Sequence, residues 1–150
     1  MSKKFDALVL IGRFQPFHNA HFEIARRASA LAHRLIIVVG STDQPRTYKN
    51  PFSFDERSTM IFEATRGLTS YDYDITICGI TDSMYNDQAW AAKVQSVVND
   101  HTSKDEKIGI IGHKKDESSF YFDLFPQWEL VNVEQIEPLS AVNIRDFYFH

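Results

Sequence analysis

Two histidines, three residues apart, are the residues whose types and spacing most directly suggest chemistry. His18 and His21 lie in the stretch GRFQPFHNAH, which occupies positions 12–21 and ends at His21. If a helix begins near Asn19, both imidazoles lie on one face of it. Arg13 adds a planar guanidinium whose donors suit phosphate oxygens. Imidazole and guanidinium donors in one short stretch indicate a site that binds phosphate.

The elements around this stretch would aim it at a ligand. Apolar residues at 7–11 precede it and predict a buried strand, and residues with helical spacing follow it. A strand, a tight loop and a helix point backbone N–H groups and the positive end of a helix dipole at a ligand above the strand. Gly12 would let that ligand approach the backbone closely, and Pro16 stiffens the loop.

Two other kinds of site use similar residues. A His-x-x-His pair can bind zinc, but the sequence offers no evident third ligand and lacks the Glu of a His-Glu-x-x-His helix. A P-loop is excluded because the chain has no Gly-x-x-x-x-Gly-Lys-Ser/Thr. The spacing of the residues by itself therefore supports a nucleotide phosphate site and nothing more specific.

The composition limits the class of protein. The 150 residues, 43% of them apolar, fit one domain at 1–150. A net charge of −4 without a basic run argues against a nucleic-acid partner. No apolar stretch is long enough for a membrane span and the start lacks a secretory signal, so we expect a cytoplasmic protein without a membrane partner. The single cysteine, Cys78, is predicted to be a small buried residue in a strand.

Strands and helices alternate along the chain. We predict strands at 5–11, 34–40, 73–80, 107–111 and 128–133, and helices at 19–33, 53–68, 86–100, 118–124 and 141–149. The alternation predicts an α/β fold, a parallel sheet of about five strands with helices on both faces. In such a sheet ligands bind beyond the carboxyl ends of the strands, which here are followed by residues 12–21, 41–57, 82–90, 112–116 and 140–145. The predicted buried stripe of the second helix is Met60, Ile61, Ala64 and Leu68.

The stretch at 12–21 resembles the first signature of a known superfamily. Its pattern Gly-x-Phe-x-Pro-x-His-x-x-His is similar to that of the nucleotidyltransferases whose hallmark is His-x-Gly-His. The string Gly-Arg-Phe-Gln-Pro-Phe-His most resembles nicotinamide-mononucleotide adenylyltransferases of the archaeal type, and the front half of bacterial and phage proteins that fuse this transferase to a Nudix hydrolase. The resemblance implies a Rossmann-like fold. Ala20 stands where the family usually has Gly, which predicts a slightly tighter approach of phosphate.

Residues 140–145 are similar to the second signature of this family, Ile-Ser-x-Thr-x-Ile-Arg. Ser140, Ile144 and Arg145 match it, whereas Leu139 and Val142 replace the usual Ile and Thr. A capping Ser leaves helix-end N–H groups for a phosphate, and the family's Arg binds the triphosphate of ATP. The alternative is an ordinary capped helix with a solvated Arg. The residues predicted to bind the nucleotide cofactor are Gly12, Phe14, His113, Ser140 and Ile144. The resemblance implies that Arg145 binds the triphosphate of ATP.

Two further stretches suggest the second substrate. Residues 50–57 resemble the Asn-Pro-Phe…Glu-Arg stretch of the archaeal-type enzymes, which implies that Lys49, Asn50 and Arg57 bind the mononucleotide. The alternative is a loop with a surface Lys and a structural Arg. Trp90 is predicted in the first turn of its helix, where the family's Trp stacks on the cationic nicotinamide ring. The alternative for Trp90 is a place in the core.

The resemblance implies an enzyme that condenses ATP with nicotinamide mononucleotide to give NAD and pyrophosphate. His18 and His21 would donate to phosphate oxygens in the transition state, and Arg13 and Arg145 would hold the β- and γ-phosphates. Mg²⁺ would arrive with ATP, bound mainly by phosphates and water. The alternatives are another member of the superfamily, such as a phosphopantetheine adenylyltransferase, and a nucleotide-binding sensor without turnover. Class I aminoacyl-tRNA synthetases share a similar His motif, but the chain lacks Lys-Met-Ser-Lys-Ser.

The sequence ends in three consecutive aromatic residues, Phe147, Tyr148 and Phe149. Three in a row cannot share one face of a helix, so we expect at least one to contact a neighbouring subunit, giving a homo-oligomer, or a following domain in a longer relative. The alternative is that the segment folds back onto its own sheet.

Overall fold

The computed structural model describes residues 3–42, 47–48, 51–82, 86–112 and 123–133. Within these ranges the strands are β1 (Phe5–Gly12), β2 (Ala32–Val39), β3 (Asp74–Gly79), β4 (Ile108–Gly112) and β5 (Glu129–Asn132). The helices are α1 (Asn19–Leu31), α2 (Phe54–Thr65) and α3 (Asp87–Asn99), with a 3₁₀ turn at Arg66–Leu68. None of the helices in these ranges is long and apolar enough to cross a membrane.

The five strands form one parallel sheet in the order β3-β2-β1-β4-β5, so the predicted α/β sheet is confirmed. The chain fills the sheet outward from β1 to β3 and then crosses back to place β4 on the other side of β1. The strand order therefore reverses between β1 and β4, and ligands bind at such a switch point beyond the carboxyl ends. The loop that follows β1 begins at this point.

Helices cover both faces of the sheet, because the central strands are apolar on both sides. Ile24 and Ala28 of α1 and Ile61 of α2 pack in the core on one face. Val94 and Val98 of α3 pack in the core on the other. A strand buried on both faces needs a continuous apolar run, which explains the sequence of β1 and β2.

Most of the predicted elements are confirmed, and the differences have local causes. Helix α1 ends at Leu31, two residues before the predicted end, because Ala32 pairs with Phe5 and begins β2. The predicted helix at 118–124 lies mostly outside the described residues, and the one at 141–149 lies entirely outside them.

The predicted buried stripe of α2 is wrong in part. The buried residues of this helix are Arg57, Ile61 and Thr65, spaced four apart. Met60 and Ala64 instead line an open groove of about 500 Å³ beside His18. An arginine at the centre of the inner face could not be anticipated from apolar periodicity, since its burial depends on the acceptors that surround it.

Cys78 lies in β3, as predicted, but it is half-buried rather than buried. Burial raises the pKa of its thiol to about 11, and the charge of Asp100 acts in the same direction. The thiolate is the reactive form, so a raised pKa makes the residue unreactive near neutral pH. We expect Cys78 to react with Ellman's reagent at pH 8 more slowly than glutathione does, and faster as the pH approaches 11. A rate equal to that of glutathione at pH 8 would contradict this expectation.

Candidate active site

The two histidines cap the N-terminus of α1. The Nδ1 atom of His18, the N-cap residue, accepts a hydrogen bond from the backbone N–H of Ala20 at 3.2 Å. The Nδ1 atom of His21 accepts one from the backbone N–H of His18, also at 3.2 Å. This is the reciprocal geometry of a capping box, with two imidazoles in the places usually taken by Ser or Thr and by Glu.

The capping bonds determine which nitrogen of each ring carries the proton. An Nδ1 atom that accepts an N–H bond holds no hydrogen, so the neutral ring is protonated at Nε2. The two rings are stacked, with centroids 3.9 Å apart and planes inclined at 28°. His18 and His21 therefore present Nε2–H donors from adjacent rings, as expected for residues that donate to a phosphate.

The first turn of α1 is suited to an anion for a second reason. It contains no acidic residue, whereas the first turn of α2 has Asp55 and Glu56 and that of α3 has Asp87. Acidic side chains at a helix start offset the positive end of the dipole. In α1 this positive potential is left for another negative group.

Gly12 and Phe14 shape the loop in a way that differs from the prediction. A Cβ atom on Gly12 would lie 3.0 Å from Cζ of Phe14 and 3.1 Å from its Cε1, so the aromatic ring, and not a ligand, occupies that side of the glycine. Phe14 is only 3% exposed and has a left-handed backbone with φ of 54°. Its ring meets the edge of His21 at 4.8 Å between centroids. Any contact of Phe14 with a nucleotide would come from its main chain.

Arg13 and Arg57, both predicted to bind substrates, are in opposite environments. The Arg13 side chain is exposed and makes no hydrogen bond or ion pair with any described residue. The Arg57 side chain is 1% exposed and donates to backbone carbonyls. Burial lowers the pKa of Arg57, and the nearby charge of Arg13 adds to this effect. Of the two alternatives for Arg57, this geometry supports a structural residue. Direct contact between Arg57 and a substrate stays a prediction.

Three polar residues near the ends of the strands form contacts that were not identified from the sequence. The amide of Gln15, itself 1% exposed, donates to the carbonyl of Phe52 at 3.0 Å and accepts from its N–H at 2.9 Å. The Ser41 hydroxyl donates to the carboxylate of Asp82, at 3.0 Å from Oδ1 and 3.1 Å from Oδ2. All three fall in segments that follow strands, and that position was the one signal the sequence offered.

Trp90 occupies the first turn of α3, as predicted, after the cap in which the Asn86 side chain accepts from Ala89 N–H at 2.9 Å. Its indole is half-buried and lies 6.1 Å from the ring of Phe125, which in turn stacks on Trp128 at 4.7 Å. One part of the indole thus packs on the core and another part remains accessible, so both interpretations of Trp90 fit its position.

Ala20, the departure from the first signature, lies in α1 and is 7% exposed. Its backbone N–H donates the capping hydrogen bond to the Nδ1 atom of His18. No group of three or more His, Cys, Asp or Glu that could hold a metal ion occurs among the described residues.

The remaining predicted site residues lie outside the described part of the chain. They are Lys49, Asn50, His113, Ser140, Ile144 and Arg145.

Comparison with known proteins agrees with this geometry. Residues 9–146 match the cytidylyltransferase-like family. The chain is 42% identical over 148 residues to the nicotinamide/nicotinic acid mononucleotide adenylyltransferase of Acinetobacter baylyi, a match that covers 97% of this chain and 77% of that enzyme. It is 37% identical over 94 residues to a nicotinamide-nucleotide adenylyltransferase of Methanococcus maripaludis, covering 63% of this chain and 53% of that enzyme.

The fold matches a solved structure at similar coverage of this chain. A bifunctional NMN adenylyltransferase/ADP ribose pyrophosphatase from Francisella tularensis superposes with a TM-score of 0.89 and 33% identity. The match covers 97% of this chain but 42% of the Francisella protein, so the chain spans less than half of that longer protein. The family model, the Acinetobacter relative and the capped histidine pair agree: the chain belongs to the cytidylyltransferase-like family of nucleotidyltransferases, in the group of nicotinamide and nicotinic acid mononucleotide adenylyltransferases.

Proposed function

We propose that this chain transfers the adenylyl group of ATP to nicotinamide mononucleotide, which gives NAD and releases pyrophosphate. The observation that carries the proposal is the capping box of His18 and His21, which fixes two Nε2–H donors at the start of α1. This helix start lies beyond the carboxyl end of β1, at the switch point of the sheet. The name of the Acinetobacter enzyme, a nicotinamide/nicotinic acid mononucleotide adenylyltransferase, supports a pyridine mononucleotide as the acceptor.

The reaction balances without a nucleophile from the protein. A phosphate oxygen of the mononucleotide forms a bond to the α-phosphorus of ATP, and the bond from that phosphorus to the β-bridging oxygen breaks. Pyrophosphate leaves with the electron pair. Such a transfer depends on positioning and on the stabilisation of charge, which are the roles of fixed donors. His18 and His21 would donate to the phosphate oxygens, and Arg13 with Arg145 would hold the leaving pyrophosphate.

Mg²⁺ belongs to the proposal as a companion of ATP. Mg²⁺ that arrives with a nucleotide keeps several waters and binds mainly through phosphate oxygens, so we expect phosphates and water to supply most of its ligands here. When bound, it would offset part of the charge on the β- and γ-phosphates. The positions of the nucleophile and the leaving group are determined by the chain's own donors.

One assay tests the function and its alternatives. The protein is incubated with ATP and, in parallel, with nicotinamide mononucleotide, nicotinic acid mononucleotide or phosphopantetheine, and pyrophosphate and dinucleotide are measured. Formation of NAD with equal pyrophosphate supports the proposal. Turnover of phosphopantetheine alone would place the chain in another branch of the superfamily. ATP binding without turnover of any substrate would identify a nucleotide sensor.

Substitution of Trp90 tests the role of its accessible ring. Because an indole attracts a cationic ring by about 0.5–2 kcal/mol, we expect Trp90→Ala to raise the KM for the mononucleotide about twofold to thirtyfold. The KM for ATP should change less than about twofold, since the ring is assigned to the other substrate. Val94→Ala is the control, because Val94 is fully buried in the same helix. Equal changes of both KM values, with a lower melting temperature like that of the control, would assign Trp90 to the core.

A further inference from the structure

Arg57 is the one charged side chain that is buried in the described part of the chain. Its Nη1 donates to the carbonyls of Arg13 at 2.9 Å and Gly40 at 2.7 Å, and its Nη2 to that of Ser41 at 3.3 Å. Its Nε donates to the carbonyl of Ser53 at 3.2 Å. No carboxylate of a described residue forms an ion pair with it. The guanidinium is thus satisfied by main-chain carbonyls.

These carbonyls come from three separate segments of the chain. Arg13 follows β1, Gly40 and Ser41 follow β2, and Ser53 is the N-cap of α2. The ends of β1 and β2 are also joined directly, by a hydrogen bond of 2.9 Å from the N–H of Gly40 to the carbonyl of Gly12. Arg57 therefore fastens the loop that leads to the capped histidines onto the neighbouring strand and onto its own helix.

The segments bound by Arg57 contain two residues in an unfavourable backbone conformation. Phe14, next to the Arg13 carbonyl, has a φ of 54°, and Ser41 has a φ of 56°. Residues other than glycine adopt these left-handed angles at a cost, and they keep them only where the surroundings leave no alternative. The bonds from Arg57 to Arg13 and Ser41 hold the chain at both positions.

The charge of Arg57 is also well placed for a site that binds phosphate. Carbonyl oxygens at the carboxyl ends of parallel strands carry partial negative charge toward the side where ligands bind. A guanidinium that caps three of them reduces the repulsion that an incoming polyphosphate would meet. A lysine would retain the charge, but its single ammonium lacks the planar fork that reaches four acceptors.

We propose that Arg57 is a positioning residue for adenylyl transfer, one that holds the Arg13–Phe14 main chain in place from beneath the site without contacting either substrate. This inference rests on the proposed function. It assigns Arg57 a role different from the direct contact with the mononucleotide that the sequence suggested.

The test compares two arginine-to-lysine variants in the whole chain. Arg57→Lys keeps the charge and loses the fork, so kcat should fall about tenfold to a hundredfold, the effect of a displacement of about 1 Å at reacting groups. The KM values for ATP and for the mononucleotide should each stay within about threefold, because the residue touches neither substrate. Arg34→Lys is the matched control, since Arg34 donates to the His101 carbonyl at 2.7 Å and pairs with Glu106 away from the loop.

The outcomes separate positioning from stability and from substrate contact. A large fall in kcat for Arg57→Lys alone, at full folding by circular dichroism, supports the proposal. A kcat within about fivefold of the parent's, or a loss matched by Arg34→Lys, overturns it. A rise in the KM for the mononucleotide without a change in kcat would also overturn it, in favour of direct contact.

Two further measurements keep the test decisive. If Arg57→Lys is partly unfolded, the assays are repeated in trimethylamine N-oxide, which favours the compact state, and the rates are expressed per folded molecule. If the parent protein forms no dinucleotide, the proposed function fails on its own. Exchange of the Phe14 and Ser41 backbone amides with deuterium then tests Arg57, and unchanged exchange in Arg57→Lys relative to Arg34→Lys would overturn its positioning role.

Discussion

His21→Ala is expected to lower kcat by about 10²–10³-fold, the usual cost of removing one fixed donor to a developing charge. The alanine removes the Nε2–H donor and also the Nδ1 atom that accepts from the His18 N–H. Loss of this capping bond should cost only about 1 kcal/mol of stability, so the fold should survive. Initial rates of NAD formation, with thermal melting of the same samples, measure both effects.

A second substitution at the same position separates capping from catalysis. His21→Glu restores the usual capping box, because a Glu at N3 accepts from the N-cap N–H. It should recover the melting temperature of the parent while remaining as inactive as His21→Ala, since a carboxylate cannot donate to phosphate. His33→Ala controls for the loss of any histidine, because His33 pairs with Asp72 at the opposite end of β2. Turnover of His21→Ala near that of the parent would exclude the proposed mechanism.

Gly12→Ala should impair both stability and turnover, although it adds a single methyl group. The new Cβ would lie 3.0–3.3 Å from three atoms of the Phe14 ring, closer than side chains normally pack. The ring cannot move aside freely, since it is buried and lies against Phe17 and His21. Overpacking of this kind costs about 1–3 kcal/mol, and a shift of the His21 ring should lower kcat by about tenfold or more.

Gly40→Ala is the matched control for Gly12→Ala. Gly40 directly follows β2, the strand beside β1, and the nearest atom to an added Cβ there is the Gly12 carbonyl oxygen at 3.8 Å, an ordinary contact. We expect this variant to melt and turn over like the parent. The two variants are compared by denaturant unfolding and by kcat. Equal stability and equal kcat in the two variants would show that the Phe14 ring does not need the space that the missing Cβ of Gly12 leaves.

The histidine pair shows how much of the candidate site the local sequence pattern predicts. Their spacing predicted two imidazoles on one face at a helix start, and the structure confirms that placement. The capping box itself was not predicted, because the usual signature has Ser or Thr followed by Glu. Ser53 and Glu56 of α2 do follow that signature, and both of the predicted capping bonds are present, at 3.1 and 2.8 Å.

Arg57 shows where local pattern fails. From the sequence it was either a substrate ligand or a structural residue, and apolar periodicity left it out of the buried stripe of α2. Its acceptors at Arg13 and Gly40 lie 44 and 17 residues away along the chain. Whether a guanidinium is buried depends on whether such acceptors converge on it, and no short window of sequence contains that information.

The sequence by itself determined the alternation of strands and helices, the caps of α2 and α3, and the residue types that surround the phosphate site. These features depend on hydrogen bonds and periodicity within a few residues. The tertiary structure alone decided three contacts. The Phe14 ring packs where Gly12 has no Cβ, the Gln15 amide forms hydrogen bonds with the Phe52 main chain, and the Ser41 hydroxyl donates to Asp82. These last two contacts join residues 37 and 41 positions apart, and they exist because the parallel order of β3, β2 and β1 brings the carboxyl ends of the strands to one edge.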